Sequence, residues 1–310
     1  MGRILAAISC VVLLAAVPPC KAFNPPANGA SGTKFATEVP LLDCDGTPCI
    51  EARIGDGKVL KMGIDTGNVD SLVDAPVAEA AGLQPTAALP PGAPAGMFRT
   101  AIGSVSVGTV KLTNVPALSM GLGEMISQKH MPQVDGTLAY TAFKDRIVQM
   151  DFAGHKFRIS EVLTTPTACS GTCDKISLIT FGKDGPPIVV ADGFEINGKR
   201  VTAQVDTMYT GSLLVYSKSI DKLGLTEAAK TTKARDFPLT DGGVKMKEAP
   251  SQKESFHGTQ LGVTATAVYF PTADVHETDE LFDATVGLEL FQGTTLTVNF
   301  HDMTITVEKR

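Results

Sequence analysis

The sequence predicts an all-β protein, mainly strands with short helices, in which two homologous lobes face each other across a cleft. Three observations predict it. First, an apolar strand running into Asp-Thr and a small polar turn occurs twice. One copy reads Leu60-Lys61-Met62-Gly63-Ile64-Asp65-Thr66-Gly67, the other Val201-Thr202-Ala203-Gln204-Val205-Asp206-Thr207-Met208. Ser71-Leu72 and Ser212-Leu213 follow at the same spacing. Second, residues 283–308 lie over residues 135–160 without a gap, placing Asp135, Thr137, Phe143 and Phe152 on the identical Asp283, Thr285, Phe291 and Phe300. The two motifs recur in the same order, which marks an internal repeat. Third, apolar residues alternate over short runs bounded by Gly, Pro and Asp, as at residues 50–54, which is the period of a half-buried strand.

Length and charge bound the alternatives. A chain of 310 residues with 43% hydrophobic content can build two cores of ordinary size. A net charge of −6, with no Lys/Arg-rich run, gives no footprint for nucleic acid or an anionic membrane. Residues 1–22 join a basic start, an apolar run and a small-residue end, so they read as a signal peptide cleaved after Ala22. A lipoprotein acylated at Cys20 is the weaker reading, because Pro18 and Pro19 stand where small residues belong. No later run is apolar and long enough to span a bilayer. The expected product is exported to a periplasmic or extracellular space as a monomer, starts near Phe23 and folds without a removable prosegment.

Cleavage there leaves four cysteines in two close pairs, Cys44 with Cys49 and Cys169 with Cys173. Export permits disulfides. Four cysteines allow three connectivities, and nearness favours the two local loops without proving them. A zinc site is disfavoured, since the pairs lie far apart and the five histidines show no ligand spacing.

In chain order, residues 23–37 read as a flexible leader rich in Pro, Ala, Asn, Gly and Ser. Residues 38–162 form the N-terminal lobe. It opens with an apolar run, the Cys44 to Cys49 loop and the alternating strand, then turns at Gly55-Asp56-Gly57 into the strand that ends at Asp65. Residues 75–83 predict a short helix stopped by Gly82. The breaker-dense stretch 89–96 predicts a loop overhanging the cleft, with strands at 98–107 and 110–112. Residues 163–185 read as linker with a Cys loop, and 186–310 as the C-terminal lobe. There, 219–225 is the counterpart of the first helix, 240–243 the counterpart of the overhanging loop, and Glu277, Asp279 and Glu280 a solvated acidic loop. His257 and His276 read as surface or loop residues. Asp70 and Asp74 read as turn and capping residues rather than metal ligands.

Asp65 falls at a turn between two buried runs, where a carboxylate is desolvated and held by neighbouring donors. With Ile64-Asp65-Thr66-Gly67 at one loop, and with the segments Asp135-Gly136-Thr137-Leu138-Ala139 and Asp283-Ala284-Thr285-Val286-Gly287, the chain resembles the two-lobed aspartic proteases. The lobes are short, and in this they look more like the retropepsins than the pepsins. The resemblance implies two acid-protease-like lobes, each contributing one catalytic aspartate, Asp65 and Asp206, with a water between them. It further implies that Thr66 and Thr207 bond across the interface and that Gly67 shapes the first loop. Two adjacent carboxylates hold one proton between them, an acid and a base in one site. The implied partner is an extended peptide or protein substrate, and no cofactor or metal is required.

Three positions depart from the family's pattern. Met208 stands where lobe one has Gly67, Ala139 replaces a glycine, and the aromatic nearest a flap position is Phe98. Met208 at negative φ is expected to point into the core of its own lobe. If it instead distorts the second loop, the chain is a catalytically silent peptide-binding module of the same fold. A serine hydrolase at Ser212 lacks any histidine in a nucleophile arrangement.

Overall fold

The computed structural model describes residues 34–89, 96–123, 133–167, 169, 172–180, 187–231, 235–236, 245–249, 253–261, 268–271 and 282–309. It is mainly β, in two lobes. Lobe one is a seven-stranded sheet in the order Leu42–Cys44, Thr47–Ile54, Val59–Ile64, Gly136–Leu138, Ser71–Asp74, Val110–Met120, Phe98–Val107. Its last strand turns back to pair with Thr47–Ile54, matching Arg53 to Ser106, so the sheet closes on itself around a core of Ile50, Met62, Ile64, Ile102 and Leu138. The alternation read from residues 50–54 is the inward and outward alternation of that closed sheet.

The repeat is visible as identical strand crossings. Val59–Ile64 runs parallel to Gly136–Leu138, which pairs antiparallel with Ser71–Asp74. In lobe two, Lys199–Asp206 runs parallel to Ala284–Gly287, which pairs antiparallel with Leu213–Val215. The repeated aspartates pin these crossings. Asp135 Oδ2 accepts from Lys61 N at 2.8 Å, and Asp283 Oδ2 accepts from Thr202 N at 3.0 Å. Both parallel strands therefore end in register beside an Asp-Thr loop. The helix stops also repeat. Gly82 and Gly224 both take the left-handed conformation that glycine tolerates, and the N–H groups of Leu83 and Leu225 each close back on a carbonyl five residues earlier at 2.9 Å. The lobe-one helix is Ala75–Ala80, and its counterpart is a 3-10 turn, Ser217–Ser219, with the turn that follows.

Six strands join the lobes, in the order Phe35–Pro40, Lys156–Ser160, Ile147–Asp151, Thr294–Asn299, Thr304–Lys309, Cys173–Thr180. Repeat-related rings stack across that junction, Phe143 on Phe300 at 6.3 Å and Phe152 on Phe291 at 6.2 Å. One continuous apolar cluster runs through both lobes as a result.

Two expectations are corrected here. Residues 35–37, assigned to a flexible leader, belong to Phe35–Pro40, which pairs with Lys156–Ser160 and fixes the outer edge of the joining sheet. Within 163–185, assigned to a linker, Cys173–Thr180 is a strand whose residues 173–175 pair with Thr304–Lys309 and whose residues 176–180 pair with Pro187–Ile196. Both neighbours would otherwise present open strand edges, and the buried Ile176 anchors the segment between them. The two local disulfides, Cys44 to Cys49 and Cys169 to Cys173, are present. His257 sits in a turn with its ring edge-on to Phe256. Among the described residues no helix is long and apolar enough to cross a membrane. The expected signal peptide, most of the breaker-rich loop, residues 240–243, His276 and the acidic trio at 277–280 lie outside the described residues.

Candidate active site

Asp65 leaves the strand Val59–Ile64 still held by it, since its N–H donates to Leu138 O at 2.9 Å. The chain then bends, which turns the next amides toward the carboxylate. Gly67 N and Asn68 N donate to Oδ1 at 3.0 and 3.1 Å, and the Asn68 side-chain amide donates to Oδ2 at 2.8 Å. Asp206 ends Lys199–Asp206 in the same manner, with Met208 N and Tyr209 N donating to Oδ1 at 2.9 and 3.1 Å. The two carboxylates thus occupy equivalent turns, but among the described residues Asp65 has three donors and Asp206 two.

The threonines that follow lock the loops to each other. Thr66 donates its hydroxyl to Val205 O at 2.8 Å and accepts from Thr207 N at 3.2 Å. Thr207 does the reverse, donating to Ile64 O and accepting from Thr66 N at 3.2 Å. Both are almost fully buried, at 2% and 0% exposure, so each bond is shielded from competing water. Serine or alanine at either position would leave a buried amide unbonded or the loop unpacked.

This arrangement sets the electrostatics. Burial raises the pKa of Asp65, against the pull of its donors from Asn68 and Gly67. Removal from bulk water also raises Asp206, and the neighbouring Asp65 charge raises it further, to about 7. Like charges at close quarters explain that second cause. The pair therefore titrates as a unit, with its last proton leaving far above the ordinary carboxylate range.

The interface explains Met208. Its φ is not positive, so the backbone needs no glycine there. Its side chain does not enter its own lobe's core. The sulfur and methyl lie 2.8 and 3.0 Å from where a Cβ on Gly63 would stand, across the interface in lobe one. Conversely, a Cβ on Gly67 would fall 2.9 Å from Cβ and Cγ of Asp206 and 3.0 Å from Nε2 of Gln204. Gly63 and Gln204 each precede their aspartate by two positions, and Gly67 and Met208 each follow by two. Lobe one thus sets two glycines, Gly63 and Gly67, opposite two large side chains of lobe two, Met208 and Gln204. An interior strand glycine is the sequence sign of such a close approach, and Gly63 carried it unread. Met208→Gly would place two glycines face to face. Its expected cost is about 1–3 kcal/mol in denaturant unfolding, from a lost half-buried apolar contact. Unchanged unfolding would refute this packing role.

Ala139 has a related explanation. Its repeat mate Gly287 has no room for a methyl, because Gly211 O would lie 2.1 Å from it and the Tyr209 ring 2.5 Å. In lobe one the smaller Asn68 stands where lobe two has Tyr209, and its amide is engaged by Asp65. Asn68 and Gln204 are the site residues that the sequence pattern did not single out.

Asp70 and Asp74 hold structure. Asp70 pairs with Arg99 at 2.8 Å, which ties the base of the hairpin bearing Phe98 to the Asp65 loop. Asp74 occupies the N-cap position of Ala75–Ala80, yet its side chain makes no capping bond and accepts from Leu122 N at 2.8 Å. Among the described residues no three His, Cys, Asp or Glu side chains cluster to hold a metal ion.

No protein-family model matches this chain, and no curated protein sequence matches it. Among solved structures it is similar to the aspartic proteinase from Irpex lacteus, at 10% identity and a TM-score of 0.47, over 88% of this chain and 97% of that one.

Proposed function

We propose that the protein is an exported aspartic-type endopeptidase that hydrolyses peptide bonds with a water activated by Asp65 and Asp206. The observation that carries this reading is the pair of carboxylates at equivalent strand ends, on loops locked together by Thr66 and Thr207. The donor count favours the charge on Asp65 and the proton on Asp206. Ionised Asp65 takes a proton from the water as its oxygen attacks the peptide carbonyl, while Asp206 donates to the carbonyl oxygen. Asp65 then passes its new proton to the amine nitrogen as the C–N bond breaks, and Asp206 takes a proton back from a hydroxyl of the gem-diol, which becomes the product carboxyl, so the shared-proton state is restored. Thr66, Gly67 and Thr207 hold the geometry, and no cofactor or metal takes part.

An extended peptide or protein segment in the cleft between strand-rich lobes is the substrate of this reading, bound by a monomer. The two local disulfides support folding in an oxidising compartment, in keeping with the signal-like residues 1–22. The silent peptide-binding module drew its support from Met208. The fit of Met208 against Gly63 removes the steric ground for it.

The test is cleavage of a denatured protein across an acidic pH series, with and without a statine-type inhibitor. Inhibitor-sensitive cleavage is expected. Tight peptide binding without cleavage at any pH would overturn the enzyme reading in favour of the binding module.

A further inference from the structure

Lobe two reaches the Asp65 loop through a side chain that has no counterpart in lobe one. Gln204 Nε2 donates to Gly67 O at 3.1 Å, while its Oε1 accepts the Thr285 hydroxyl at 3.0 Å. The Thr285 oxygen lies 3.2 Å from the Tyr216 hydroxyl. The direction of this chain follows from its ends. The Gly67 carbonyl can only accept, so the amide nitrogen of Gln204 must face it; Thr285, having given its one proton to Oε1, must accept from Tyr216. Val189 N reaches the same carbonyl at 3.4 Å.

The peptide group that receives these donors has a second end. Its N–H belongs to Asn68 and donates to Asp65 Oδ1 at 3.1 Å. A carbonyl that accepts hydrogen bonds polarises its peptide, and the N–H on the far side becomes a stronger donor. The repeat-related contact, the Met208 thioether on Gly63, polarises nothing.

We propose that Gln204 is a positioning residue that draws the charge of the dyad onto Asp65 by polarising the peptide joining Gly67 to Asn68. The inference rests on the reading of Asp65 and Asp206 as a shared-proton pair. The lobes then play different parts, since lobe two conditions the base in lobe one, and lobe one's charge keeps the proton on Asp206.

The test follows both carboxylates by carbon-13 NMR in protein labelled at aspartate, with the resonances assigned through Asp65→Asn and Asp206→Asn. Gln204→Met keeps the bulk against Gly67 and removes the amide. The Asp65 titration is expected to rise by about 0.2–0.5 unit, with the acid limb of kcat/KM moving by the same amount and KM unchanged. Thr285→Val leaves Gln204 in place without the hydroxyl that orients it, and should give a smaller rise in the same direction. An Asp65 titration unmoved in both variants overturns the proposal, as does an equal rise of Asp65 and Asp206, which would mark general loosening. Absence of two displaced titrations in the parent overturns the shared-proton reading and this inference with it.

Discussion

Asp206→Asn is expected to abolish peptide cleavage and to make the protein more stable at neutral pH. The first effect follows from removing the group that holds the proton; loss of a general acid–base partner costs about 10²–10⁴-fold in rate. The second follows from linkage. Folding raises Asp206 from an ordinary carboxylate value of 3.8 to about 7, so between those values the folded state binds more protons than the unfolded one. Stability is then greatest below the unfolded value and falls as pH rises toward 7. The slope is at most about 1.4 kcal/mol per pH unit for one proton. An asparagine does not ionise, so the variant should lack this decline, and its Oδ1 can still accept from Met208 N and Tyr209 N. Asp65→Asn should be equally inactive but gain less stability. Both Asp65 oxygens accept donors, and the new amide nitrogen would face that of Asn68. Denaturant unfolding across the pH series measures both. Glu38, Asp283 and Asp302 have lowered pKa values and add stability as pH rises from acid, so the difference between parent and Asp206→Asn is the measure. A parent that gains stability relative to that variant between pH 3.8 and about 7 would contradict the shared-proton electrostatics.

Gly67→Ala is expected to cut cleavage by about 10²-fold or more and to cost about 1–3 kcal/mol. The cause is contact, because Gly67 is not in the left-handed region. The added methyl would sit 2.9 Å from two carbons of Asp206, so one carboxylate must move relative to the other. Two controls separate this from loop strain. Gly63→Ala meets the flexible end of Met208, which can swing aside, and should cost less activity. Gly82→Ala meets nothing nearby but occupies a left-handed helix stop, and should lower stability alone. Gly67→Ala with parental kcat and KM would show that the loops tolerate separation, and would remove Gly67 from the support of the dyad.

By itself the sequence determined the features whose cause lies within a few residues. Strand alternation, the helix stop at Gly82 and the break at each Asp-Thr turn follow from side-chain period and backbone freedom, which are local. The repeat was legible for the same reason: two copies of one local pattern can be compared without knowing where they meet. What only the tertiary structure decided is the content of the meeting. Met208 lies against Gly63, Gln204 against Gly67, and residues 173–175 against Thr304–Lys309, each through partners remote in the chain. A strand glycine or a glutamine two residues before an aspartate has many local uses. Which one it serves depends on the surface that folding brings opposite, so the same Asp-Thr pattern became two unequal loops only when each lobe supplied what the other lacked.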